Sequence, residues 1–450
     1  MQELKQKLAA QMKGSIDFIQ TSLKRDDATI DVMYVLTVVD ETKVLDLLIT
    51  PFYNKAMIPN YEEYIVGLPN RIVPQSEKQL LSLLADGYAI LFASEDVYVY
   101  DVRKLPLGTI REATVETVIQ APLNAFSEDL GTNVTLLRQR YNQPSLRVEK
   151  ATVGTRSKTG LTILYDDAVA DQKLIEDLKK RIDSVTLAMV QSTGQMIQLL
   201  GEPKRSLFPR IMITERPDRA ALNLSQGKVV VLMEGTPFAG IAPSTFYDFI
   251  ASMEDLYQQY FVSRFLIILR YASLLISLTL PAAYVAVSAY NPELLRAQLA
   301  LSIAGSRVPV PYPAFLEVLL MLLAMELLVE ASIRLPKAIG STATTVGGLI
   351  LGTAATEASL VSAIMIIIVA TVAISNFVVP INAMSFALRV AKYGILLFAT
   401  MFGLIGIVLG VIAMIGYLVS LESFGKPYLK LFENDDRHVK ATQKQPEPGA

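Results

Sequence analysis

The 450-residue chain has no cysteine, no tryptophan and a single histidine, His438. Without thiols there is no disulfide, no Cys₄ zinc site and no thiol nucleophile. One histidine in a polar tail cannot build a Ser-His-Asp triad or a His-rich metal centre. A net charge of −2 gives no reason to invoke nucleic acid. Walker motifs, dinucleotide fingerprints and paired catalytic acids at recognisable spacing are missing too. The expectation is a protein that is not an enzyme, with no cofactor and no metal site. Without tryptophan, Tyr and Phe must anchor any membrane interface.

What is present falls into two unlike parts. From Met1 to about Tyr260 charged residues recur every few positions; from Phe265 to Leu421 they are rare and isolated. The first 18 residues, MQELKQKLAAQMKGSIDF, lack the continuous apolar core of a signal peptide, so the soluble region is expected in the cytoplasm. Residues 2–24 carry Leu4, Leu8, Met12, Ile16, Phe18, Ile19 and Leu23, which reads as an amphipathic helix; its polar face mixes both charge signs, which favours packing on the following domain over a membrane-surface helix. Segments 31–39 and 88–102, rich in β-branched and aromatic residues, read as strands. Residues 76–87 read as a helix opened by Ser76 and closed by Gly87. A polar linker at 141–144 leads to a second pattern: strand 159–167, helix 170–185, strands 210–215 and 228–234, and a turn at Gly235-Thr236-Pro237. Alternating strand and helix signals favour a mixed sheet with covering helices.

The fold class expected is therefore an α/β soluble N-terminal region of two subdomains followed by an all-α polytopic membrane domain. The boundaries are 1–145, 146–260, 261–422 and a polar tail over 423–450, its last residues disordered. A span needs about 20 mostly apolar residues. Segments 265–290, 313–333, 346–380 and 393–421 qualify, with 346–380 either one tilted helix or a helix plus a broken or re-entrant piece, which makes four clear spans with room for five or six. Both ends are placed in the cytoplasm, although Arg389 and Lys392 before the last span then fall outside, against the positive-inside tendency.

Acids inside apolar spans are the informative residues, since an unpaired charge at mid-bilayer costs at least about 2.5–3.5 kcal/mol. Glu317, Glu326, Glu330 and Glu357 are the candidate ion-pathway residues. Glu330 precedes Arg334 by four, the spacing of a surface ion pair, and Glu317 sits near a span's start, where it could reach headgroups. Glu326 and Glu357 are the harder ones to dismiss as structural. Gly348 with Gly352, and Gly406 with Gly410, are GxxxG pairs suited to close helix packing. Ser341, Thr342, Thr344 and Thr345 read as N-capping hydroxyls. In the soluble part Glu215, Arg216 and Asp218 of TERPD could form a buried ion-pair cluster, a structural hinge next to the membrane.

Several segments in order carry a resemblance. They are LFPRIMITERPD (207–218), VLMEGTPF (231–238), RYASLLISLTLPAAYVA (270–286), LALSIAGSRVPVPYPAFLE (299–317) and RLPKAIGSTATTVGGLILG (334–352). ALRVAKYG (387–394) and SFGKPYL (423–429) continue it. Together they resemble the A subunit of the GerA-type spore germination receptors, over roughly residues 110–430. The chain departs from that pattern at Val329, Thr353 and Glu357. The resemblance implies a homo-oligomer that acts with B-type and C-type receptor subunits in the spore inner membrane, among membrane lipids. It also implies a nutrient-responsive cation channel whose opening releases monovalent cations and starts germination. A ring of carboxylates from identical subunits would attract cations. A secondary transporter using its intramembrane acids and a non-conducting scaffold subunit are the alternatives.

Overall fold

The computed structural model describes residues 2–25, 28–54, 58, 60–69, 71–72, 74, 76–93, 96–104, 112–116, 118, 122–201 and 206–429, with backbone only over 337–344. The expected disordered tail and His438 lie outside the described residues.

The first lobe is a five-stranded sheet in the order β1-β2-β4-β5-β3, made of β1 (Phe18–Arg25), β2 (Ala28–Val35), β3 (Arg71–Ile72), β4 (Tyr88–Ala93) and β5 (Asp96–Asp101). Period-two alternation sends β4 into two cores. Ala89, Leu91 and Ala93 join Leu48, Phe52 and Ile65 on one face. Ile90 and Phe92 join Leu8, Met12, Leu80 and Leu84 on the other. The residues over 88–102 are thus a hairpin, not one strand.

Helix α1 (Gln2–Met12) is shorter than the periodicity over 2–24 predicts. Gly14 at φ +96° ends it, and Phe18 onward extends into β1. Leu8 and Met12 are fully buried, so α1 packs on the sheet, as expected. Helix α2 (Glu77–Asp86) has the caps read from sequence: Ser76 Oγ accepts the Gln79 N–H, and Gly87 closes it at φ +96°.

The second lobe is a sheet in the order β6-β7-β9-β10-β8. Its strands are β6 (Leu146–Val153), β7 (Thr159–Asp166), β8 (Met212–Thr214), β9 (Val229–Met233) and β10 (Ala239–Ala242). Every pairing in both sheets is antiparallel, which corrects the expectation of a mixed sheet. Hairpins join β6 to β7 and β9 to β10, and a tight turn can only join antiparallel strands. Helices α3 (Leu130–Arg140), α4 (Gln172–Asp183), α5 (Thr193–Leu200) and α6 (Pro217–Ser225) surround it. Val229, Val231 and Met233 face the α4 and α5 side. Val230 and Leu232 face a core that runs unbroken through Phe246, Phe249 and Tyr428 into Leu278, Met384 and Leu418 of the apolar region.

That region holds α7 (Tyr260–Ala289), α8 (Ala297–Arg307), α9 (Ala314–Arg334), α10 (Lys337–Glu357), α11 (Ala363–Phe377) and α12 (Asn382–Ser420). By length and hydropathy α7 and α12 are long and apolar enough to cross a membrane. The stretch 346–380 is not one helix: α10 ends at Glu357 and α11 restarts at Ala363, capped by Ser362. The hydroxyls at 341–345 are not N-caps either. They lie within α10, whose N-cap is Pro336.

The last segment differs most from expectation. A straight 39-residue helix would be about 58 Å long, nearly twice the hydrocarbon thickness of about 30 Å. Gly403, at φ +60° and ψ −135°, breaks α12. A Cβ on Gly410 would stand 3.3 Å from the Cα of Ile395. In one straight helix those residues would be about 22 Å apart. The single span read over 393–421 is therefore a hairpin, with arms over 382–402 and 404–420. Its tip meets the end of α7: the Tyr290 hydroxyl donates to the Thr400 carbonyl. Its second arm returns to the lobes, where Tyr417 Oη accepts the Leu207 N–H at 3.2 Å.

The chain beyond that arm clamps the second lobe. Residues Glu422–Ser423 and Lys426–Pro427 form a small ribbon. Ser423 Oγ donates to the Arg210 carbonyl at 2.6 Å and accepts the Ser244 N–H at 3.2 Å. Tyr428 is fully buried beside Phe246 and Phe249. Tyr428→Ala should lower unfolding stability by about 3–5 kcal/mol, the usual cost of an aromatic deletion in a core. Its hydroxyl finds no partner among the described residues. Tyr428→Phe should accordingly melt no lower than the parent, because it removes an unsatisfied buried group. Thermal unfolding of the detergent-solubilised protein compares the two.

Candidate functional site

The first polar centre is the joint between the second lobe and α7. Strand β8 delivers TERPD, and Pro217 opens α6 in a position that needs no N–H. Arg216 grips Asp218 with two bonds of 2.6 and 3.1 Å, and it donates to the carbonyls of Glu116 and Pro122. Glu215 accepts the N–H groups of Val115 and Glu116. Arg219 pairs with Glu116 at 3.1 Å and donates to the Ala251 carbonyl. The Tyr257 hydroxyl donates to Asp218, and Arg270 on α7 pairs with Asp255 at 2.7 Å while holding the Ile250 carbonyl. The expected cluster of Glu215, Arg216 and Asp218 is present and buried. It is also larger than expected, because Glu116, Arg219 and Tyr257 join it, and Arg270 of the first apolar helix is anchored beside it on Asp255 and Ile250. Burial pushes the Glu116 carboxyl up despite the Arg219 charge, and burial likewise lowers Arg219. Both shifts mark a desolvated joint.

The second centre is Glu326, in the middle of α9. It accepts Arg389 Nε at 2.7 Å and Lys392 Nζ at 2.9 Å from the first arm of α12. Arg389 and Lys392 are three apart on a helix, so they present to one face. Lys392 is only 1% exposed. These two residues are therefore counter-ions inside the bundle and carry no topological information. One carboxylate against two cations leaves the cluster net positive.

The third centre is Glu317, which corrects the interfacial reading: it is fully buried. The N-cap of α11 holds it, with the Ser362 N–H at 2.7 Å and the Ser362 hydroxyl at 2.6 Å. The Tyr284 hydroxyl donates at 3.4 Å, and Arg307 Nε stands 3.5 Å away.

The remaining candidates separate from these. Glu330 makes the expected surface pair with Arg334 at 2.6 Å. Glu357 is exposed at the end of α10. Gly352 approaches Ile366 of α11, whereas a Cβ on Gly348 would meet nothing within 4 Å. The close contact of α10 with α9 instead runs through Gly347, beside Leu328. Gly406 and Gly410 do pack closely, but against their own chain's first arm. Among the described residues no group of three or more acids and histidines could hold a metal ion. Sequence reasoning missed Tyr284, Arg307 and Ser362, since nothing in a linear pattern links positions so far apart. Arg389 and Lys392 were visible as a same-face pair in an apolar stretch that calls for an acidic partner.

A two-lobed α/β region, joined to a bundle of apolar helices by a buried charge cluster at α7 and by the Ser423 and Tyr428 clamp after α12, defines a two-part protein with two helices long and apolar enough to cross a membrane. The family model described as the Bacillus/Clostridium GerA spore germination protein matches residues 3–443. The chain belongs to that family. It is similar to spore germination protein B1 of Bacillus subtilis (strain 168), 34% identical over 88% of this chain and 84% of that one. Spore germination protein GerLA of Bacillus cereus is 38% identical over 77% of this chain and 71% of its own length. An uncharacterised membrane protein of Bacillus subtilis (strain 168), YfkQ, is 33% identical over 88% of this chain and 79% of its own. The crystal structure of the N-terminal domain of the A subunit of the Bacillus megaterium spore germinant receptor GerK3 aligns with a TM-score of 0.43 and 25% identity. It covers 55% of this chain and 95% of that one.

Proposed function

We propose that this protein is the A-type subunit of a nutrient-responsive spore germinant receptor. In this reading it oligomerises in the spore inner membrane, works with B-type and C-type subunits, and forms a cation channel gated by the receptor's ligand. The chain enters and leaves the bundle at the end that carries the lobes, which suits six traverses with both ends in the cytoplasm.

The observation that carries the reading is the surface of α10. Between Thr345 and Glu357 only Ala355 is buried. Val346, Leu349 and Ile350 are 48%, 68% and 59% exposed. Val346, Ile350, Thr353 and Glu357 follow helical spacing, so they lie on one stripe. A carboxylate is out of place on a lipid-facing stripe, though the cost at the end of a helix is below that at mid-bilayer. The same stripe turned toward identical stripes of neighbouring copies puts that carboxylate beside water and passing cations. Glu357 is accordingly the acid assigned to the ion path, whereas Glu326 holds α9 to α12.

The two assignments predict different phenotypes. In the reconstituted receptor Glu357→Gln should assemble normally and conduct cations more weakly or less selectively. Glu326→Gln should fail earlier, because it leaves Arg389 and Lys392 uncompensated, at about 3–5 kcal/mol. Unchanged flux and selectivity in Glu357→Gln rejects the pore assignment. An intact oligomer that never conducts, with its partners present, would leave the scaffold role.

A further inference from the structure

We infer that the end of the bundle distant from the lobes carries a binding site for a short aliphatic carboxylate, with Arg307 as the anion-binding residue. Helix α8 and the turn after α7 line a half-open cavity of about 290 Å³ there. That is near the lower end of the volumes that hold small ligands, so a short chain fits within it. Its walls are mainly apolar, from Pro292, Leu295, Ala300, Ile303 and Val308, and Ser288 adds one hydroxyl. Among the described residues Arg307 is the only ionisable one that lines it. Glu293, next to the lining residue Pro292, accepts a hydrogen bond from Asn291 and is not part of the lining.

The hydrogen bonding of Arg307 is incomplete. A guanidinium has five N–H donors. Among the described residues one is used, from Nη2 to the Tyr312 carbonyl at 3.4 Å, and the buried Nε has no hydrogen-bond partner. Glu317 stands 3.5 Å from that Nε but is already served by Ser362 and Tyr284. The Nε is thus turned to Glu317 in a loose ion pair, and the donors left to meet a ligand are those of the two terminal nitrogens. Guanidinium and carboxylate match as a planar two-bond pair, and such charge-assisted bonds are roughly twice as strong as neutral ones. The cavity offers one such pair at its polar wall and apolar contact for a short chain elsewhere.

The test uses the full-length protein in nanodiscs of neutral phospholipid, titrated with ¹³C-butyrate and read by NMR line broadening. Saturable binding is expected, weakened at least about tenfold in Arg307→Gln, the loss of a charge-assisted pair. Butylamine, with the same chain and the opposite charge, should not bind. Ala300→Leu, which fills the cavity and keeps the arginine, should also weaken butyrate, and it decides the matter if Arg307→Gln does not fold. No saturable binding to the parent protein, or equal butyrate affinity in parent and Ala300→Leu, overturns the assignment. So does competition by anionic phospholipid in the nanodisc, which would give the site to a headgroup phosphate. The readout is binding, so failure here leaves the channel reading untouched.

Discussion

Alanine at position 406 is expected to prevent the last two arms of the bundle from closing. A Cβ there would lie 2.0 Å from the Phe398 carbonyl oxygen and 2.5 Å from its carbon. Both are backbone atoms, so no side-chain rotation relieves the clash, and the arms would have to part along the seam that also holds Gly410 on Ile395. Separation would pull apart packing shared with α7, whose Leu278 and Ala282 belong to the same core as Met384, Ala399 and Leu418. The expected loss exceeds about 4 kcal/mol, in the range reserved for backbone and core failures. Gly416→Ala is the matched control, because nothing stands within 4 Å of its Cβ position. Monodisperse yield and melting temperature of the two variants provide the check. If Gly406→Ala melts within about 1 kcal/mol of the parent, the hairpin is not packed as described.

The second large effect concerns the tie between the two lobes. Arg138 on α3 donates to Asp17 through Nε at 2.6 Å and Nη2 at 2.8 Å, and to Ser15 Oγ at 2.9 Å. Ser15 and Thr37 complete the shell of Asp17, each at 2.6 Å. Both charged side chains are nearly inaccessible, at 2% and 3%. Arg138→Met should cost about 3–5 kcal/mol, mainly because Asp17 is left buried without its counter-ion.

The pH dependence has a definite sign. Burial alone would push the Asp17 carboxyl up, but the Arg138 charge and the hydrogen bonds from Arg138, Ser15 and Thr37 outweigh it and hold it below its ordinary 3.8. A depressed acid stabilises the fold above its unfolded value, and that stability is lost as pH falls through the lower folded value. The gap between parent and Arg138→Met should thus be largest near neutral pH, where Asp17 is charged in both, and narrow under acid, because Asp17 is depressed in the parent and pushed up by burial once Arg138 is gone. Denaturation followed at several pH values tests this, and a gap that widens on acidification would contradict it.

Much of the architecture was legible in the linear pattern. Ser76 and Gly87 mark α2 because capping is local chemistry. The strands at 159–167 and 228–234 follow from apolar, β-branched runs. Exposed pairs four apart, such as Glu330 with Arg334, can be read directly. Glu317 could not be placed, because its burial depends on Ser362, 45 residues away. Glu326 could be flagged as anomalous but not assigned its two cations. The hairpin at Gly403 escaped because one glycine in an apolar run looks like any other. Length gave no clear warning either, because the run read as a span, 393–421, is about the length of one tilted helix, and the 39 helical residues appear only in the fold.

By itself the sequence determined the division into a charged α/β part and an apolar helical part, and the type of most elements. Those properties are sums of local preferences, and composition and periodicity record them. Only the tertiary structure decided which acids are spent on structure and which remain exposed. Glu326 and Glu317 are held by groups that the folded chain brings together, whereas Glu357 stays on an open stripe. The physical reason is that the cost of a buried charge depends on its partners, and those partners come from distant segments whose proximity exists only after folding.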